Sequence, residues 1–163
     1  MTDIAIRNAL IDSYNNYAIG VDTKNWQLVR SCFADEVSLD YGELSDATVG
    51  TNRPCSSDDW VAILQASING FDITRHAMTN FRTTVDGDSA VCIVYINADH
   101  IIFSDPAVND ITPQELVTLV GEYINGYRLI DGQWKIVTSH LRVDWTIGNY
   151  DLFEQAQARA ASR

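Results

Sequence analysis

Apolar side chains recur at three- and four-residue steps through the first part of the chain and at nearly every second position through the rest. Ile6, Leu10, Tyr14, Tyr17 and Val21 fall on one side of a 3.6-residue period, which predicts an amphipathic helix over residues 4–20. Thr23 is placed to cap a second, shorter helix over 24–33, with Trp26, Val29 and Phe33 on its apolar side and Ala34-Asp35-Glu36 as its exit turn. Residues 37–41 read as a strand. A polar stretch carrying Gly42, Gly50 and Pro54 reads as a loop. Ser56 or Ser57 opens a third helix with Trp60, Ile63, Leu64 and Ile68 facing inward, and Asn69-Gly70 closes it.

From Thr74 onward the period drops to two, as expected of a sheet. A strand over 74–85 meets Asp86-Gly87-Asp88, a hairpin turn, and continues over 89–103. In that second strand Val91, Ile93 and Tyr95 alternate with Cys92, Val94 and Ile96. Both faces are apolar, so both are expected to be covered. A connection over 104–113, with Pro106 and Pro113, precedes strands over 115–130 and 133–145, joined at Asp131-Gly132. Thr112-Pro113-Gln114-Glu115 satisfies a capping box with Pro at the first helical position, so a short helix is the alternative at that point. Residues 151–162, rich in Ala and Gln, are helix-prone. Helices first and long antiparallel strands second predict an α+β domain, one unit over residues 1–163, with N-terminal helices on the concave face of a curved sheet. Such a sheet encloses a pocket between its concave face and the helices.

Charge narrows the partners. Eleven Lys and Arg against 22 Asp and Glu leave a formal charge of −11, which repels phosphate backbones and anionic lipid surfaces. Neither nucleic acid nor a membrane is expected as a partner. No apolar run approaches the ~20 residues of a spanning helix, and MTDIAIRNAL lacks the basic-then-apolar order of a secretion signal, so the expectation is a cytoplasmic protein. Cys32, Cys55 and Cys92 are odd in number and form no C-x-x-C pair, which fits reduced thiols rather than disulfides or zinc. The apolar outer sheet face predicts self-association as a homodimer or homotrimer.

The candidate chemistry rests on few residues. His76, in the first long strand beside Met78, Asn80 and Arg82, would point into the cavity or at its rim. Asp22, at the break between the first two helices, could reach it from a helix end. A carboxylate bound to one imidazole nitrogen fixes the tautomer and raises the basicity of the other, which makes a general base. The alternative is a structural histidine bonded to the backbone. Tyr14 and Tyr17, on the inner face of the first helix, and Tyr41, beside Gly42, could donate to a substrate carbonyl or could simply pack the core. Asp99 and His100 are strand neighbours and face opposite sides, so one of them enters the cavity. Asp99 inward would be a proton donor or water-holding group, with His100 outward toward solvent or a neighbouring subunit; the reverse leaves Asp99 exposed. His140 reads as structural. Glycine-rich nucleotide loops, H-E-x-x-H and G-x-S-x-G do not occur in the sequence. A metal site from His76, His100 and Asp22 is conceivable on residue types, but parity weakens it if Asp99 is the inward residue, and neither metal nor cofactor is expected.

The run Tyr17-x4-Asp22-x3-Trp26, Phe33-x-Asp35-x-Val37 and Tyr41-Gly42 resembles the opening of the SnoaL-like group in the nuclear transport factor 2-like superfamily. Arg75-His76, the strand from Tyr95 to Phe103, Tyr127 and Ile130-Asp131-Gly132-Gln133-Trp134-Lys135-Ile136 extend the resemblance over nearly the whole chain. It implies a cone-shaped α+β fold. Within the superfamily the chain looks most like scytalone dehydratase and bile-acid 7α-dehydratase, which eliminate water without a cofactor. On that resemblance Tyr17 polarises a substrate carbonyl, Asp22 and His76 remove the α proton, and Tyr41 is a second carbonyl-side tyrosine. Asp99 matches a strand carboxylate or, alternatively, His100 matches a second histidine. Asn125 is the one candidate for the family's polar groups on the later strand. The implied function is a cofactor-independent dehydratase acting on a neutral, apolar, cyclic or polycyclic carbonyl compound. Isomerases, cyclases, non-catalytic binders and assembly subunits share the fold, so the fold alone does not choose among them.

Overall fold

The computed structural model describes residues 3–105, 107 and 110–162. Helix α1 (Asp3–Asp22) buries Ile6, Leu10, Tyr14, Tyr17 and Val21, the stripe its period predicts. It stops where Asn25 N donates to Gly20 O at 2.7 Å and Lys24 N to Val21 O at 3.1 Å, with Lys24 left-handed at φ 56°. The Lys24 side chain donates to the Phe71 carbonyl at 2.6 Å, which holds this end of α1 against the segment that follows α4. Asp22, the last helical residue, is thereby fixed in place.

The second helix is shorter than its pattern suggests. Helix α2 (Trp26–Ser31) is capped by Asn25, whose side chain accepts from Leu28 N at 3.1 Å. Thr23, the expected cap, instead donates to the Ile19 carbonyl at 2.6 Å. Residues 34–36, expected as a turn, lie within strand β1 (Phe33–Asp40). The exposed Asp35 and Glu36 mimic a turn, but Phe33, Val37 and Leu39 are buried and β1 runs parallel to a strand 100 residues later in the chain. The expected loop after it contains helix α3 (Glu43–Thr48) and the short strand β2 (Pro54–Ser56). Helix α4 (Ser57–Ile68) is capped by Ser56, with Trp60, Leu64 and Ile68 buried.

Strands β3 (Ile73–Asp86), β4 (Ser89–Ile101), β5 (Leu116–Ile130) and β6 (Gln133–Gly148) follow. The six strands stand in the order β2-β1-β6-β5-β4-β3, antiparallel except for β1 beside β6. Asp131 and Gly132 both have positive φ, 49° and 77°, as a two-residue hairpin turn demands. The long strands carry register shifts between Thr79 and Arg82, where Asn80 sits at φ 57°, and between Val120 and Gly121 and Gly126 and Tyr127. Such bulges add twist and bend, and the sheet curls around α1 without closing.

Only one half of the capping box forms: Thr112 N and Oγ1 each donate to the Glu115 carboxylate at 2.8 Å, but Glu115 N donates to the Thr112 carbonyl rather than to its hydroxyl, and only a turn precedes β5. Ser104 N and Oγ bind the same carboxylate at 2.7 and 2.6 Å. The other proline of that connection, Pro106, lies outside the described residues. Helix α5 (Leu152–Ala161) lies across the end of α4, buries Leu152 and Ala156, and is tied down by Arg159, whose guanidinium binds Asp72 at 2.7 and 3.2 Å. All three cysteines are free.

Candidate active site

Even-numbered residues of β4 point into the concavity and odd-numbered ones point away, as their alternating burial shows. The same phase puts Thr74 and His76 of β3 inward, in register with His100 and Ala98. Asp22 meets both from the end of α1. Its carboxylate accepts from Thr74 Oγ1 at 2.9 Å, from His76 N at 2.9 Å and from His76 Nδ1 at 2.7 Å. Burial pushes the Asp22 carboxyl upward, but the bonds from the His76 ring and backbone outweigh it and hold the group below the ordinary carboxylate range. An ionised Asp22 needs a donor at Nδ1, so Nε2 of His76 keeps its lone pair and can take a proton.

Parity decides between Asp99 and His100. His100 is the inward residue, 2% exposed, with its ring 5.4 Å from that of His76. Phe71 at 5.0 Å and Phe153 of α5 at 5.1 Å enclose it further. Burial, reinforced by the nearby His76, lowers its pKa to about 3, so it is a neutral imidazole at working pH. Its Nδ1 is buried without a hydrogen-bond partner. Asp99, a candidate proton donor had it been the inward one of the two, stands on the opposite face, where it accepts from Thr118 at 2.6 Å and lies in register with Arg75.

The tyrosines separate in the same way. Tyr14 is fully buried and its hydroxyl donates to the Cys92 carbonyl at 2.7 Å, so it packs the core and has no proton left for a ligand. Tyr17 stacks edge-on against Tyr123 at 5.8 Å, and Tyr41 against Trp60 at 4.8 Å. Tyr123 also packs against Tyr41 at 5.9 Å, so the three phenol rings form one cluster. Burial pushes all three phenols upward, and Asp22's charge adds to the push on Tyr123. Tyr41 Oη also meets Ser139 Oγ at 2.9 Å, and Ser139 Oγ donates to Asn125 Oδ1 at 2.6 Å. Tyr123, Ser139 and Trp60 are site residues that sequence reading misses. Tyr123 lies two residues from Asn125 on one strand, and that shared parity was the available signal.

The interior near His76 is thus lined by close-packed aromatic rings. Two open clefts lie elsewhere on the surface: one of about 530 Å³ between Trp26, Arg30, Phe33, Asp58 and Lys135, the other of about 430 Å³ beside Ser13, Asn16, Cys32 and Trp134. Among the described residues no group of three or more His, Cys, Asp or Glu side chains is arranged to hold a metal ion.

A curved, unclosed six-stranded sheet wrapped around a long helix is the nuclear transport factor 2-like fold. Within that class the chain belongs to the SnoaL-like domain family, whose model matches residues 2–140. Its fold is similar to those of three solved structures. An aromatic ring hydroxylase-like protein of Novosphingobium aromaticivorans is 20% identical, with TM-score 0.74 over 96% of this chain and 99% of that one. A scytalone dehydratase-like protein of the same organism is 18% identical, with TM-score 0.69 over 90% and 93%. A hexachlorocyclohexane dehydrochlorinase, LinA type 2, is 18% identical, with TM-score 0.70 over 89% of each chain. No curated protein matches the chain by sequence.

Proposed function

We propose that the protein is a cofactor-independent lyase, a dehydratase that removes water from a neutral cyclic or polycyclic carbonyl compound. The observation that carries this reading is the His76–Asp22 bond of 2.7 Å, which leaves His76 Nε2 as the acceptor. His76 takes the proton α to the carbonyl, the C–H electron pair becomes an enolate, and a phenol of the Tyr17 cluster stabilises the charge on oxygen. The enolate expels the β-hydroxyl, which leaves as water on receiving the proton that His76 has just removed. Asp99 faces away, so His76 serves both steps, with neutral His100 beside it to orient the departing hydroxyl. Two structural neighbours bear names of eliminating enzymes, a dehydratase and a dehydrochlorinase, which agrees with this chemistry.

The test is exchange of α protons in deuterated water, followed by NMR across a panel of cyclic ketones carrying β-hydroxyls. Exchange with loss of water is expected, and His76→Ala and Asp22→Asn should each slow it by at least ~100-fold with the circular dichroism spectrum intact. Undiminished rates in both variants overturn the assignment. Exchange without water loss points instead to an isomerase or cyclase using the same base.

A second reading has its own support: Tyr17, Tyr41, Tyr123 and Trp60 fill the interior with rings, as suits a binder or an assembly subunit. That reading predicts no exchange in the unmodified protein. In either case we propose a homodimer or homotrimer in the cytoplasm. In support, no described helix is long and apolar enough to cross a membrane, and the net charge of −11 opposes phosphate-rich partners.

A further inference from the structure

We propose that Asn125 and Ser139 are positioning residues that set the direction of the hydrogen-bond chain in the cone, so that Tyr41 donates away from the cavity and Tyr17 and Tyr123 are left as the proton donors to a ligand oxygen. The argument is one of proton counting. Each hydroxyl carries a single proton. Ser139 Oγ commits its own to Asn125 Oδ1 at 2.6 Å, so the 2.9 Å contact between Ser139 and Tyr41 is made with the Tyr41 proton. Tyr41 Oη then has no proton left to donate elsewhere. Tyr14 is excluded as a donor by its bond to the Cys92 carbonyl. Tyr17 and Tyr123 remain, and Tyr123 is the phenol on which Asp22's charge acts.

The orientation of the Asn125 amide is the origin of this polarity. Its oxygen faces Ser139 at 2.6 Å, while the buried hydroxyl of Tyr127, two residues along the same strand, has no hydrogen-bond partner. The opposite orientation would reverse every bond, with Asn125 donating to Ser139, Ser139 to Tyr41, and Tyr41 to the cavity. Strand geometry holds the chain in place: Asn125 and Ser139 are direct partners across β5 and β6, and Leu39 near the end of β1 pairs with Ser139, which brings Tyr41 to it.

The inference rests on the lyase reading for its consequence in catalysis, and two measurements separate the two. Neutron diffraction from perdeuterated crystals needs no substrate. It is expected to show the Tyr41 deuteron pointing at Ser139 and both Asn125 amide deuterons turned away from it; amide deuterons pointing at Ser139 overturn the proposal whatever the activity. In the α-proton exchange assay, Tyr17→Phe or Tyr123→Phe should lower kcat by ~100-fold, as loss of an oxyanion donor does, and Tyr41→Phe by only ~10-fold. Ser139→Ala should lower kcat by about 10-fold with KM unchanged, and Ser139→Thr, which keeps the hydroxyl, should restore it. A Tyr41→Phe loss as large as that of both other tyrosines, or no rescue by Ser139→Thr, overturns the proposal. Absence of exchange in the unmodified protein removes the lyase reading alone, and the neutron result then decides the direction of the chain.

Discussion

At the residue scale, a carboxylate at a helix end with three donors from one strand is a stiff arrangement. Thr74 and both His76 donors hold Asp22, so the imidazole is fixed in ring plane and tautomer before any ligand arrives. Thr74→Val, which removes one donor and keeps the shape, should lower turnover by about 3- to 10-fold through looser positioning; steady-state rates on the ketone panel check it. His100 supplies a prediction about pH. Its pKa falls from the ordinary 6.5 to about 3 in the folded protein. Between those values the unfolded chain binds a proton that the native state refuses, so stability declines as pH falls through that window, by about 1.4 kcal/mol per pH unit from this group. Asp22 acts lower: its carboxyl is depressed by folding, so its contribution is complete above about pH 4 and is lost as pH falls through the folded value. Urea melts from pH 7 to 4 should show a shallower slope in His100→Gln than in the unmodified chain, and an equal slope in both contradicts the assignment. The sequence showed the His76–Asp22 pair because histidine is scarce, three in the chain, and Asp22 sits at a helix end within reach of the start of β3. It left Asp99 and His100 undecided because a strand with apolar residues on both sides carries no phase of its own.

At the element scale, strand and helix periods were legible wherever one face is buried, and α1, α4 and the four long strands follow them. Two of the misreadings come from contacts outside the local sequence. Asp35 and Glu36 join a strand because β6 pairs with the residues on either side of them and β2 with Glu36, and the polar stretch after Gly42 folds into α3 and β2 against β1. Local sequence carries neither pairing. The contact between α4 and α5 is similarly long-range and has a single weak point. A Cβ added to Gly70 would lie 1.8 Å from the Ala156 carbonyl oxygen, so the backbone of α5 itself would have to move. Gly70→Ala should therefore cost about 1–3 kcal/mol, as overpacking does. Phe153, which covers His100, should loosen with α5. Hydrogen exchange resolved by residue checks this: faster exchange confined to α5 and the strand ends beside His100 is expected, and unchanged protection there contradicts the role given to this contact.

At the scale of the whole molecule, the concave face is filled by α1 while the convex face has no layer on it. Tyr95 is 46% exposed, Trp145 56% and Ile147 57%. Charge is balanced there: Arg82 and Arg142 bind the buried Glu122, Arg142 also binds Asp144 at 3.0 Å, and Arg75 lies in register with Asp99. In a chain of net charge −11 that balance spares this face local like-charge repulsion from a second copy. Such a contact is apolar at close range and opposed by like charge at long range, which fixes the sign of its salt dependence. Screening weakens the long-range repulsion more than the short-range burial, so association should tighten as salt rises from low to physiological strength. Sedimentation velocity is expected to show a dimer or trimer whose dissociation constant falls over that range, and Trp145→Glu should raise it by at least ~10-fold by placing a charge in the buried centre. A chain that stays monomeric at all salt concentrations, or that dissociates as salt rises, rules out this face as the self-association surface.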